Sequence, residues 1–520
     1  MSFSKVQSIQ ATSLETTIVS VETDISNGLN SFSIVGLPTK AVEEARDRIS
    51  AAIKNSGFRS PKQKNQKVVV SLAPASIKKE GTSFDLSIAL GYLKASGEIC
   101  FEEEDSIFIG ELSLNGKLCP IKGVLPMTWA AAEAGFKKIF VPEANALEAA
   151  FVRKIEVYGA GTLFEVITHI NQKEDTEFNP PKSIAVQPIT PLRYKKTAHK
   201  NTFSHVRGQE TAKRALEIAA AGRHNIAMHG PPGAGKTLLA RALSSILPSL
   251  NEEQVFETTS LHSVAGTLPP ETLITEPPFR SPHHTSSPVA VVGGGNIPKP
   301  GEITLSHNGV LFMDEFPEFD RRIIEALREP MEEGRIAISR SQGKVSFPAN
   351  FLMVAAFNPC PCGYFGSEKG ECVCTAHDIN RYRKKLSGPI IDRIDLWCDV
   401  EAVAHKKLST RQKENRNLDK VMILRINKAR EIQKERFSDQ EGCHTNKDMN
   451  SQNIDRKARL SEGAENTLLL SAEKMGLSAR TYHKVIKVAR TIADLEESEW
   501  IEDVHILEAL RYRPSTNMLL

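Results

Sequence analysis

Residues Gly230-Pro-Pro-Gly-Ala-Gly-Lys-Thr237 decide how this 520-residue chain is read. Three glycines and a closing Lys-Thr match the phosphate-binding loop pattern over its full length. The flanks have the right character. Asn225-Ile-Ala-Met-His229 suits a short buried strand, and Leu238-Leu-Ala-Arg-Ala-Leu243 suits a helix. That order is what phosphate binding needs, because glycines let successive backbone N–H groups turn inward and a helix N-terminus adds positive potential. The expected nucleotide-binding set is therefore Gly230, Pro231, Pro232, Gly233, Ala234, Gly235, Lys236 and Thr237. Lys236 is placed to reach the β- and γ-phosphates, and the Thr237 hydroxyl to ligate Mg²⁺.

A second element is required, since the metal needs a carboxylate and the attacking water needs a base. Gly309-Val-Leu-Phe-Met-Asp314-Glu315 reads as a buried strand ending in two acids. Asp314 would hold the Mg²⁺ hydration shell, and Glu315 would polarise the water. A strand with two acids means little alone; after a phosphate loop it points to ATP hydrolysis.

Composition sets the remaining bounds. Hydrophobic content of 40% with 25% charged residues describes a globular protein, and the length calls for two to four domains. A net charge of +3 confines any basic surface to local patches. No apolar run approaches the roughly 18 residues that span a bilayer, and the N-terminus lacks an apolar signal core. The expected setting is cytoplasmic and reducing, with no membrane contact and disulfides a poor default for eight cysteines.

Along the chain, residues 1–170 mix short β-branched strands (Val68–Leu72, Ile107–Ile109, Lys138–Val141) with helices. Ala41–Lys54 is one such helix, with Val42, Ala45, Ile49 and Ile53 on one face. Residues 171–200 are polar and proline-bearing and read as a linker. Residues 201–405 form a second α/β region, and 406–520 alternate charge at helical spacing with no convincing strand. The expected class is a multidomain α/β protein.

Several segments together resemble the AAA+ ATPase core: Phe203-Ser-His-Val-Arg-Gly-Gln209, Asp314-Glu315 and Ala355-Ala-Phe-Asn358. Within it, Phe279-Arg-Ser-Pro-His-His284, Gly293-Gly-Gly295, Leu386–Asp395 and Leu477-Ser-Ala-Arg-Thr-Tyr482 look most like the magnesium-chelatase-related branch, specifically the ComM/YifB family. The resemblance implies an AAA+ P-loop core closed by a C-terminal helical lid. It makes Asn358 a sensor orienting the lytic water. Arg393 becomes an arginine finger offered to a neighbouring subunit's ATP, and Arg480 a second sensor on the lid. A finger between subunits implies a ring, a hexamer by family habit. ComM-type proteins are associated with ATP-driven branch migration during DNA uptake and recombination. Single- and double-stranded DNA or branched junctions, and a recombinase, are thus the implied partners. Insertion of magnesium into a tetrapyrrole and remodelling of a protein partner stand as alternatives.

Two segments bear on DNA. Gly334–Pro348 reads as a β-hairpin around Ser341-Gln342-Gly343, with Arg340 and Lys344 flanking its tip. Related ATPases project such a hairpin into the ring channel, where cations grip phosphates. His283 and His284 are read as residues of a second pore-facing loop. The basic run Lys420, Arg425, Lys428, Arg430, Lys434 and Arg436 reads as a solvated helix face.

The first domain contains Lys79-Glu-Gly-Thr-Ser83-Phe-Asp85, which resembles the serine segment of Lon-type peptidases. Followed along the chain, the resemblance puts Met127 where the dyad lysine belongs. A thioether cannot accept the serine proton, so a Lon-like α+β scaffold without proteolysis is expected. Last, Cys360, Cys362, Cys372 and Cys374 could close one tetrahedral zinc site, with His377 in reserve, or remain free or redox-sensitive thiols.

Overall fold

The computed structural model describes residues 3–12, 14–63, 65–102, 104–171, 183–194, 201–269, 272–295, 298–340, 343–366, 370–401, 417–440 and 442–514. Residues 339, 340, 343 and 344 are described by their backbone alone. The chain divides into two compact units, Met1–Arg193 with Glu252–Ile274, and Tyr194–Asn251 with Thr275–Leu520.

The first unit is built on two small sheets. Phe3–Thr12, Glu15–Asn27 and Gln66–Ala73 pair antiparallel, and Ser31–Val35 adds to Gln66–Ala73 in parallel. Ser106–Phe108, Lys138–Pro142 and Glu156–Ala160 form a parallel sheet of three. The helix Lys40–Asn55 buries Val42, Ala45, Ile49 and Ile53, the face its spacing predicts. Asp85–Ala95 is enclosed along nearly its whole length, its buried Asp85 carboxylate accepting from Arg48 Nε at 2.8 Å. The rings of Phe108, Phe140 and Tyr158 stack at 4.8 and 4.9 Å between the sheet and this core.

The sequence division assigned all of 201–405 to one core, whereas helix Glu252–Ala265 belongs to the first unit. It buries Thr258, Thr259, Ser260, His262 and Ser263, polar groups that call for partners, though the Ser260 hydroxyl has none among the described residues. Ser263 Oγ accepts the Gly123 N–H at 3.0 Å and bonds the buried Glu148, while Phe256 meets Trp129 with ring centroids 4.8 Å apart. Such partners are invisible to a local reading. The described part of the expected linker is likewise tied down. Gln187 N–H donates to Val157 O at 2.8 Å and Thr190 N–H to Ala150 O at 3.0 Å. Its polarity therefore reflects backbone pairing against the first unit.

The second unit is a five-stranded parallel sheet flanked by helices, ordered Phe279–Arg280, Val310–Met313, Leu352–Phe357, Ile226–His229, Leu396–Asp399. Continuous apolar runs in the three central strands suit burial on both faces. Register keeps their C-terminal ends level, with His229 opposite Phe357 and Met313 opposite Ala355. Open parallel sheets place ligands at that edge. The hairpin is present as Arg335–Arg340 and Gly343–Pro348, antiparallel.

Beyond Asn417 the described residues contain helices and no strand. Arg490, fully buried, holds this region together. Its guanidinium bonds Asp494 at 3.1 Å and the carbonyls of Ala458 and Glu499 at 3.0 and 2.9 Å. The basic helix Leu418–Arg436 splits by face. Lys420, Lys428 and Lys434 are exposed, as expected for a solvated face. Arg425, also exposed, pairs with Glu217 at 2.7 Å and Lys428 with Glu497; on the inner side Arg430 donates to Ala220 O at 2.8 Å and Arg436 grips Asp494 at 2.5 Å. No helix among the described residues is long and apolar enough to cross a membrane.

Candidate nucleotide site and its arginine neighbours

The phosphate loop leaves strand Ile226–His229 and feeds helix Lys236–Leu243. Gly235 caps that helix at φ +91°, a conformation closed to side-chain-bearing residues without strain. Lys236 then turns back into the loop. Its ammonium donates to Gly230 O at 2.6 Å, Pro231 O at 2.9 Å and Asn358 Oδ1 at 3.0 Å. Burial lowers the Lys236 pKa, and the carboxylates of Asp314 and Glu315 oppose that shift. A triphosphate in this loop would offer Lys236 anionic acceptors in place of neutral carbonyls, so affinity for the anion comes with relief of an imperfectly compensated charge.

Thr237 Oγ1 donates to Asp314 Oδ2 at 2.8 Å. Two hard oxygen donors side by side, one at the loop and one at the strand tip, suit Mg²⁺, which would take them as ligands directly or through water. The acid next in sequence, Glu315, sits at φ +52°, an uncommon setting for a non-glycine residue. Its backbone N–H donates to Asp314 Oδ1 at 3.1 Å, and its carboxylate lies 3.0 Å from His284 Nδ1. Level strand ends thus bring Lys236, Thr237, Asp314, Glu315 and Asn358 together from three segments.

Of the residues read as facing DNA, His284 meets this cluster through Glu315, and its ring lies 4.3 Å from that of His283. The His283 ring nitrogen also bonds Thr285 Oγ1 at 2.7 Å. The two histidines therefore connect the Phe279–Gly295 segment to the candidate base, a link that adjacency in sequence did not suggest. Arg340 pairs with Gly343 at the tip end of the hairpin and Lys344 with Ser339 one step further in; the side chains of Arg340 and Lys344 lie outside the described residues.

Arg393 and Arg480, expected on the finger segment and on the lid, come together on one acid, Glu332. Arg393 reaches Glu332 Oε2 at 2.5 Å, and Arg480 bonds Oε1 of the same carboxylate. Arg393 also donates to Pro389 O at 2.7 Å, while its Nε is buried without a partner among the described residues. They line a cavity of about 700 Å³ with Lys447, Lys484 and Lys487. Burial would raise the Glu332 carboxyl, but the two guanidiniums overcome it and hold the pKa low. Glu332 was missed in the sequence. The available signal was an acid pair closing the helix Arg328–Glu333 just before the hairpin.

The four cysteines converge, with all four sulfurs within 4.8 Å of one another; His377 is not in that group. In the first unit, Ser83 is nearly buried and Met127 is buried in helix Val124–Glu133. Lys79 is fully buried and donates to the carbonyls of Pro74 and, at 2.8 Å, Ile77.

Three family profiles match, described as magnesium chelatase, subunit ChlI (residues 202–408), subunit ChlI of Mg-chelatase (21–145), and the ChlI C-terminal region (416–513). Competence protein ComM of Haemophilus influenzae is 39% identical over 100% of this chain and 99% of its own length. The uncharacterized protein YifB of Escherichia coli is 38% identical over the same shares. An archaeal Lon protease of Thermococcus kodakarensis is 35% identical over 17% of this chain and 14% of its own length, so Lon likeness is partial. Profiles across both units and full-length identity of this order are sufficient: the chain belongs to the ComM/YifB family of magnesium-chelatase-like AAA+ proteins.

Proposed function

We propose that the protein hydrolyses Mg²⁺-ATP as a ring, a hexamer by family habit, and uses the cycle to move along DNA and drive branch migration during DNA uptake and recombination. The observation that carries the reading is the convergence of Lys236, Thr237, Asp314, Glu315 and Asn358 at one level edge of the sheet. Lys236 and the loop hold the triphosphate, Thr237 and Asp314 hold the metal, and Glu315 takes the proton of the attacking water while Asn358 orients it. Arg393 and Arg480 are side by side on Glu332, an arrangement suited to receiving another subunit's phosphates. The DNA reading rests on the full-length likeness to a protein named for competence and on the hairpin whose tip is flanked by Arg340 and Lys344.

The test is ATPase activity titrated with single strands, duplexes and forks, beside Lys236→Ala and Glu315→Gln, with the assembly state measured in parallel. Turnover that rises with DNA and falls steeply with salt supports the proposal. Indifference to every DNA form, or a protomer that never assembles, refutes it. Likeness to the magnesium-chelatase 67 kDa subunit of Heliobacterium mobile, 23% identical over 44% of this chain, favours the chelatase reading as the alternative. Stimulation by a tetrapyrrole with a partner subunit, and none by DNA, would establish it.

A further inference from the structure

Between strand Leu352–Phe357 and helix Ala376–Arg383 the chain carries a four-cysteine excursion with Cys360, Cys362, Cys372 and Cys374. Its thiols have specific geometry. Cys360 Sγ lies 3.3 Å from Cys362 Sγ and 3.7 Å from Cys372 Sγ, and Cys362 and Cys372 are 3.6 Å apart. Four sulfurs bound tetrahedrally to zinc at about 2.3 Å stand about 3.8 Å from one another. The three spacings among Cys360, Cys362 and Cys372 lie just below that value, and all four sulfurs lie within 4.8 Å of one another. Cys360 is fully buried and accepts the Phe365 N–H at 3.3 Å, the kind of outer hydrogen bond that orients a thiolate ligand.

The same excursion touches the nucleotide site on two sides. A Cβ built on Gly363, at φ +87°, would stand 2.5 Å from Pro232 Cγ, so the Cys360–Gly363 turn lies flush on the phosphate loop. Asn358 precedes Cys360 by two residues, and its side chain takes the Lys236 ammonium. Just past Cys374, Thr375 caps the next helix with a reciprocal Asp378 box.

We propose that Cys360, Cys362, Cys372 and Cys374 bind one zinc ion, and that this ion braces Pro232 and Asn358 so that ATP affinity depends on it. The coupling half of the proposal rests on the nucleotide-site reading; the metal half does not. On binding, the thiols release their protons to solvent and the ion closes a segment too short to bury its own core. Brace and loop then move together. Without the ion, the Gly363 turn is released from Pro232 and the loop must be ordered at the expense of nucleotide affinity.

The test uses the full chain. Elemental analysis should give about one zinc per chain, and cobalt substitution a tetrathiolate absorption spectrum. Chelation should weaken binding of a fluorescent ATP analogue about tenfold, with zinc restoring it, a coupling of ordinary allosteric size. Cys372→Ser should lose the ion. Should that variant fail to fold, Gly363→Ala keeps all four thiols and should hold zinc yet bind the analogue more weakly. Absence of metal after chelator-free purification, or a Cys360–Cys362 disulfide in its place, overturns the site. Full zinc occupancy with affinity unchanged by its removal and by Gly363→Ala overturns the brace. A wild-type protein that carries zinc but binds no nucleotide refutes the ATP reading and the brace, and leaves the metal site standing.

Discussion

Two lysines are buried beside glycine-bearing loops that run into helices, and they make opposite use of burial. Lys236 follows Gly230–Gly235 and Lys79 precedes Gly81 and Ser83. Burial lowers the pKa of both. Only at Lys236 do carboxylates, Asp314 and Glu315, pull the other way, and only there does a side-chain acceptor from a separate strand, Asn358, join the carbonyls. Lys79 is closed off by Pro74 O and Ile77 O of its own loop, and Met127, where the Lon resemblance would put a lysine, is packed in the core. A displaced pKa therefore does not distinguish the two lysines. Convergence of reactive groups from several elements does.

The sharpest way to break this contrast is to exchange the roles. Lys236→Ala should abolish nucleotide binding and turnover with the fold intact, and Glu315→Gln should keep binding while slowing turnover by ~100-fold or more. If Lys236→Ala left ATP binding unchanged, the convergence argument would fail. Arg393→Ala tests whether the site borrows from a neighbour: turnover should fall ~1000-fold, the size of an arginine finger, with nucleotide affinity retained. Parallel loss of affinity and turnover would place Arg393 on its own protomer's nucleotide.

Lys79→Met belongs to the structural side. Two buried carbonyls lose their donor, so the first unit should be destabilised by about 1–3 kcal/mol, read as a lower denaturant midpoint, with turnover preserved. A smaller effect is expected of Glu332→Gln. Freed from a shared exposed acid, Arg393 and Arg480 should engage a neighbour's phosphates more readily, shifting the protein concentration for half-maximal turnover down by about fivefold. No shift would mean that Glu332 does not compete with phosphate. Last, Ser83→Ala should change neither turnover nor stability, and peptide cleavage lost in that variant would reverse the reading of the first unit.

The contrast also measures how much was legible. The phosphate loop, its strand and its helix were readable because each is contiguous and its chemistry dictates residue types at fixed spacing. So was the helix Lys40–Asn55, whose buried face follows the 3.6-residue period. Glu332 was not, because it is one acid among many until two arginines from distant segments arrive on it. The placing of His284 on Glu315, and of Glu252–Ala265 in the first unit, escaped for the same reason: a polar residue's partner is chosen by packing across tens to more than a hundred residues.

By itself, then, the sequence determined the nucleotide loop and the acid-tipped strand, written in short segments whose spacing is set by local backbone geometry, and carried enough such segments in order to mark the family. Tertiary structure alone decided which acid holds Arg393 and Arg480, what stands on the candidate base, and that the cysteine turn rests on Pro232. Those are meetings between surfaces far apart in the chain. Shape complementarity and the need to pair every buried charge select them, and neither leaves a local trace.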